Sequence, residues 1–271
     1  MSAEASRHSR SALLLAAGQV RYQLMLLLRS PLAFFLTLVV PLLLLVSLNV
    51  VIPPSAALMP HGLRYAQFLT PAVCVFCLLN ACYVTTITSV VLAREEQILK
   101  RLRGTPLPAW TYLAGRSGTA FLTATASATI IITIGVAFFH VHIIWRASGY
   151  FAAAAGLGMA CFFLLGVAVT AAIAKTDTAL PVAYGTVLPL AFISDVFFSA
   201  ARAPHWLRDL ASAFPVAPVA RAMEAAFIPG TRSWPMPTSG LLVVLGWTIA
   251  AAAAIALTFR WEPGPGPGHA R

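Results

Sequence analysis

Two histidines one residue apart, His140 and His142, and two cysteines at C-x-x-C spacing, Cys74 and Cys77, are the residues whose types and spacing could hold a metal ion. Neither pair makes a site. A structural zinc takes four protein ligands and a catalytic zinc takes three. Cys74 and Cys77 would share one face of a helix, three residues apart, but no second pair and no histidine stands near them. All four cysteines (Cys74, Cys77, Cys82 and Cys161) lie inside apolar runs, where a thiol packs as a small hydrophobe. His140 and His142 read as solvated loop residues. The sequence contains no G-x-x-x-x-G-K-[ST], no G-x-S-x-G and no H-E-x-x-H, so no phosphate loop, hydrolase elbow or zinc-peptidase helix is expected. The chain is not expected to be an enzyme, nor to hold a metal or cofactor of its own.

What remains is polar and sparse. Arg94, Glu95, Glu96, Lys100, Arg101 and Arg103 form the most charged stretch, which ends at Gly104-Thr105-Pro106. Asn49, Asn80 and Asp195 are isolated polar residues in or beside long apolar runs. An acid at membrane depth is costly and is by default functional, although Asp195 stands close enough to the end of its run to pair with Arg202 or Arg208.

Composition says what must position these residues. Of 271 residues, 59% are hydrophobic and 10% charged, against roughly 25% charged in a soluble domain. Mean hydropathy is +0.85. So few charges cannot cover a water-facing surface, and most of the chain must face lipid. The net charge of +10 would suggest nucleic acid in a soluble protein. Here the basic residues sit between apolar runs, as expected for charges retained on the cytoplasmic face of a membrane, so no nucleic-acid partner is expected.

The apolar runs predict an all-α integral membrane domain over 31–262, with six spans near 31–52, 68–93, 117–139, 149–174, 179–199 and 238–259. The first would reach about 33 Å, enough to cross, with Pro41 expected to kink it and Pro53-Pro54 to end it. Residues 1–30 lack the layout of a signal peptide. Leu13, Ala17, Val20, Leu24 and Leu27 instead share a helical face, which predicts an interfacial helix. Glu95 and Glu96 are expected to open a cytoplasmic amphipathic helix at its positive end, followed by a break at Gly104 to Pro108 and a short helix into the third span. Between spans five and six, Trp206, Leu207, Leu210 and Phe214 share a face, and Arg221 and Glu224 stand three residues apart. The Pro-Gly tail 263–271 is expected to be disordered. Twelve of the 18 Lys and Arg fall on the side shared by both termini, which predicts that both termini are cytoplasmic.

Two segments carry a family resemblance. AREEQILKRLRGTPLPAWTYLAGR, residues 93–116, resembles the coupling-helix region of type-2 ABC exporter permeases. FISDVFFSAARAPHWLRDLASAFPVAPVARAMEAAF, residues 192–227, is similar to the segment that follows the fifth span in that family. Ser194, Phe198, Pro204, Trp206, Leu207, Pro215 and Arg221 match its pattern, while Asp195 and Ser199 replace the usual Gly and Pro. FLTPAV, residues 68–73, resembles the start of the family's second span. With the six spans and the N-terminal helix, the likeness covers nearly the whole chain.

The resemblance implies short helices dipping into the outer leaflet between spans five and six. It implies a permease subunit of an ATP-driven exporter, paired with itself or a paralogous permease in lipid. ATP and magnesium would be bound by a separate ATP-binding subunit. Arg94, Glu95, Glu96, Lys100, Arg101, Gly104 and Pro106 would form the coupling surface. Asn49, Asn80, Ser194 and Asp195 are candidates to line a translocation path. Members resembling daunorubicin-type drug exporters suggest multidrug efflux and antibiotic resistance, with a hydrophobic or amphipathic drug-like or lipid cargo. The rival readings are a secondary transporter or a non-transporting membrane scaffold, neither with an ATPase partner. The sparse midplane charge counts against ion-coupled transport.

Overall fold

The computed structural model describes residues 31–51, 64–97, 109–194, 204–227 and 239–258, with side chains from Leu38 in the first helix, from Tyr112 in the third and to Leu257 in the last. The expected interfacial helix of 1–30, most of the charged stretch, Asp195 and the tail 263–271 lie outside them. Every regular element among the described residues is a helix. These are α1 (Pro31–Val51), α2 (Tyr65–Glu95), α3 (Ala109–Phe139), α4 (Ser148–Val169), α5 (Thr176–Ile193), α6 (His205–Ala213), α7 (Val216–Glu224) and α8 (Ser239–Thr258). Short 3₁₀ turns, Trp145–Ala147 and Thr170–Ala172, flank α4. Among the described residues five helices are long and apolar enough to cross a membrane: Tyr65–Glu95, Tyr112–Phe139, Trp145–Ala172, Thr176–Ile193 and Ser239–Leu257. The chain is a multi-pass membrane protein.

α2 is the central helix, in contact with α1, α3, α4, α5 and α7 and buried along almost all of its length. Lipid is as apolar as leucine, so helices in it associate through close packing and polar contacts rather than through hydrophobic burial. The sequence supplies small residues for that. α5 buries Ala179, Ala183, Val187 and Ala191 at a spacing of four, and α3 buries Ala120, Ala124, Ala128, Ile131 and Gly135. Glycines mark the closest approaches. A Cβ at Gly135 would lie 2.8 Å from Thr70 Oγ1, and one at Gly158 would lie 3.0 Å from Val219 Cγ1.

The boundaries depart from expectation where backbone capping, not hydropathy, decides them. α3 runs unbroken from Ala109, so the expected short helix before the third span is its first two turns. α5 starts at Thr176 and ends at Ile193, where Ser194 leaves helical geometry with its N–H on the Leu190 carbonyl, rather than running from 179 to 199. The expected amphipathic helix does not open at Glu95. That residue lies in the last turn of α2, and Gln97, at φ 56°, turns the chain out of it. The two short helices between spans five and six are present as α6 and α7.

Candidate functional site

Near the middle of α2 the helix widens into a π segment, Leu79–Val84, closed by the Thr85 N–H on the Asn80 carbonyl. The Thr85 hydroxyl donates to the same carbonyl at 2.9 Å. Such segments shift side chains out of α register and recur at functional sites. Here the shift aims two polar side chains at α5. Tyr184 donates its hydroxyl to Asn80 Oδ1 at 2.9 Å, and Tyr83 Oη lies 2.9 Å from Thr186 Oγ1. The Thr186 hydroxyl donates back to its own helix, to the Val182 and Ala183 carbonyls, which leaves Tyr83 as the donor. Asn80 Nδ2 is buried with no partner among the described residues. Beside this cluster α5 is open: Thr186 is exposed, and a Cβ at Gly185 would meet nothing within 4 Å. On the opposite side, Gly166 of α4 lets the two backbones close, since a Cβ there would lie 3.1 Å from the Tyr83 carbonyl oxygen.

At the Glu95 end, three charged residues bind helix termini or backbone. Arg94 is buried, and its guanidinium donates to the Thr170 carbonyl at 2.9 Å and the Ile173 carbonyl at 3.4 Å. Those are the last carbonyls after α4, the negative end of its dipole. Glu95 is exposed, and its Oε2 accepts the Thr176 N–H at 2.9 Å, at the positive start of α5. Arg116 of α3 donates to the Thr85 carbonyl of α2 at 3.2 Å. Of the expected coupling residues, Arg94 is therefore tied into the bundle rather than presented on its surface, Glu95 caps a neighbouring helix, and Glu96 is exposed. Lys100, Arg101, Gly104 and Pro106 lie outside the described residues.

The Tyr65 end is held by Gln67. Its buried side-chain amide donates to the His142 and Phe227 carbonyls, and its Oε1 accepts the His142 N–H at 3.0 Å. The Ile144 N–H adds a bond to the Ala226 carbonyl at 2.8 Å. His142 is thus held through its backbone, and among the described residues no group of three His, Cys, Asp or Glu could hold a metal. In α6, Arg208 contacts His205 Nδ1 at 2.8 Å, while Trp206 and Leu210 are exposed. The face expected from Trp206, Leu207, Leu210 and Phe214 therefore divides, with Phe214 stacked inward on Trp247 at 5.9 Å. Trp247 also donates to the Ala213 carbonyl, fixing the bend between α6 and α7.

The expected path residues that are described, Asn49, Asn80 and Ser194, do not assemble into one cluster, and Asp195 lies outside the described residues. Asn49 donates to the Leu45 carbonyl of its own helix. Ser194 is buried at the end of α5, about 15 Å of helix from Tyr184. Only Asn80 stands at the polar junction. Its partner Tyr184 and the neighbouring Tyr83–Thr186 pair were not anticipated, because each pairing spans more than a hundred residues. Gln67 was missed for the same reason. A family model described as ABC-2 type transporter matches residues 19–228. No curated protein matches the chain.

Proposed function

The chain belongs to the ABC-2 type transporter family, and from that premise we propose that it is the permease subunit of an ATP-driven exporter for a hydrophobic or amphipathic cargo. In this reading two permease chains, identical or paralogous, enclose a path. A separate ATP-binding subunit, which carries ATP and magnesium, docks on each. α1 supplies a sixth span. The positive-inside rule places the Glu95 end, with Arg94, Arg116 and Lys175, at the cytoplasmic face of a bacterial plasma membrane and the Gln67 end outside. The sequence segment 98–108, between α2 and α3, is then the surface on which the ATPase pushes, and the spans switch between inward- and outward-facing packings.

The observation that carries the path is the Asn80 amide. It lies 15 residues from either end of a 31-residue helix, hence near the bilayer midplane. A buried amide donor without a partner is expensive there. A cargo with a carbonyl or hydroxyl oxygen, passing between α2 and the open face of α5, would satisfy it. Asn80, Tyr83 and Tyr184 then read the polar edge of a mostly apolar molecule such as a drug, an antibiotic or a lipid.

The test is purification of the tagged chain in mild detergent from its native membrane, followed by efflux of a fluorescent anthracycline from cells. Retention of an ATP-binding cassette subunit is expected, together with reduced efflux on Asn80→Ala at unchanged surface abundance. Absence of any ATPase from a folded chain would overturn the exporter reading. Unchanged efflux in Asn80→Ala would remove Asn80 from the path.

A further inference from the structure

Arg94 and Glu95 are adjacent in sequence, yet they bind opposite helix ends across one turn. Arg94 holds the carbonyls that finish α4, at Thr170 and Ile173, and Glu95 holds the amide that starts α5, at Thr176. Each charge opposes the dipole end it meets, cation on the negative terminus and anion on the positive one. The α4–α5 turn has no cap of its own, since Lys175 at the N-cap makes no side-chain hydrogen bond to the helix. Glu95 supplies that cap from another helix. Two residues beyond Glu95 the chain leaves α2 through Gln97, so the pair stands at the end of α2 from which the sequence continues into 98–108.

We propose that Arg94 and Glu95 are positioning residues that latch the α4–α5 turn to the end of α2. Movement imposed on the segment after α2 is thereby passed to α5, and so to the Tyr184–Asn80 junction. The proposal rests on the exporter reading. It differs from a docking role for Glu95, because the carboxylate acts inside the chain and not on the ATPase. Two variants break the same bond from opposite sides. Glu95→Ala removes the acceptor. Thr176→Pro removes the donor N–H while keeping the helix, because proline is well tolerated at the first helical position and Lys175, at φ −126° and ψ 146°, already has the extended geometry that must precede it. Thr176→Ala keeps the N–H and serves as the control.

The experiment uses the complex with its ATP-binding subunit, in nanodiscs of phosphatidylethanolamine and phosphatidylglycerol, with a spin label on Gly185→Cys, where space is open. The readout is the shift in inter-label distance between the two permeases on adding a non-hydrolysable ATP analogue. The wild-type background and Thr176→Ala are expected to show the shift. Glu95→Ala and Thr176→Pro are expected to lose it while retaining the ATPase, and the double variant should be no worse than either single one. A full shift in both single variants, or no shift in the wild type, overturns the latch. Loss of the ATPase on Glu95→Ala also overturns it, in favour of direct docking. Failure of the wild-type chain to retain an ATPase sinks the exporter reading instead.

Discussion

Gly135→Ala should destabilise the bundle, and Thr70→Ala should restore it. A Cβ on Gly135 would stand 2.8 Å from Thr70 Oγ1 and 2.9 Å from its Cγ2, both well inside contact distance, while Thr70 Cβ itself is 3.4 Å away. Thr70 is fully buried and its hydroxyl donates to the Ala66 carbonyl, so it has no room to turn aside. Overpacking of this kind costs about 2 kcal/mol. Thr70→Ala alone removes a methyl and a hydroxyl bonded only to its own helix, at about 1 kcal/mol. In the double variant the new methyl fills the space vacated by the threonine, and stability should return to within about 0.5 kcal/mol of wild type. The implied coupling is about 3 kcal/mol, at the upper end for residues in direct contact. The assay is reversible unfolding by SDS in mixed micelles, followed by far-UV circular dichroism. Gly185→Ala, where a Cβ would meet nothing, is the internal control and should change stability by less than about 0.5 kcal/mol. Additive effects, or a neutral Gly135→Ala, would refute the register of α2 against α3.

Three further outcomes follow from the same contacts. Gln67→Leu orphans the His142 N–H and the His142 and Phe227 carbonyls, and should cost about 3 kcal/mol in the same titration; a neutral result would show that α2 does not tie the 140–144 loop to the end of α7. Gly166→Val pushes a branched side chain at the Tyr83 and Cys82 carbonyls, and should abolish anthracycline efflux at normal surface abundance; wild-type efflux would free the π segment from any part in transport. Gln97→Gly relieves a left-handed residue and should stabilise the fold by about 1 kcal/mol, whereas Gln97→Val should lose at least as much.

The five long apolar helices were legible because lipid demands long apolar runs, and among these it was the ends that were misplaced. Those ends are set by single hydrogen bonds that hydropathy does not register. The clearest case is Glu95. Two acids beside a basic run read as the opening of a helix, since carboxylates favour the positive end. The chain instead leaves the helix at Gln97, and a left-handed glutamine carries none of the signal that glycine or asparagine would. Glu95 still meets a positive helix end, but that end belongs to α5. The principle was right and the helix was wrong. Asn80 stood out for the opposite reason: a carboxamide in a run of apolar residues needs partners, and Tyr184 meets its oxygen while its Nδ2 has none among the described residues. Gln67 stands one residue outside the expected second span, 68–93, and drew no reading. Nothing local marks a glutamine whose acceptors lie 75 and 160 residues away.

The polar side chains through which α2 bonds other elements, Gln67, Asn80, Tyr83, Arg94 and Glu95, fall at three levels, and their arrangement bears on how a push would travel. Gln67 fixes one end and Arg94 with Glu95 the other, so neither terminus can slide without breaking bonds in an environment where the alternative is an unsatisfied group. Between them the α-ladder departs from regular geometry at one described segment, Leu79–Val84, where bonding shifts from i+4 to i+5. A rod clamped at both ends can take up a change in rotation only where its ladder already admits a second pattern. Under the proposed mechanism that segment is the place where strain from the Glu95 end would be absorbed. Asn80 and Tyr83 sit within it, facing α5. Conversion of the π segment to regular α-helix would turn both side chains relative to Tyr184 and Thr186, breaking or making the two bonds that close the junction. The latch, the π segment and the unpartnered amide are then successive parts of one helix. A variant that straightens the segment, such as deletion of one residue within 79–84, should uncouple efflux from ATP while leaving both clamped ends intact.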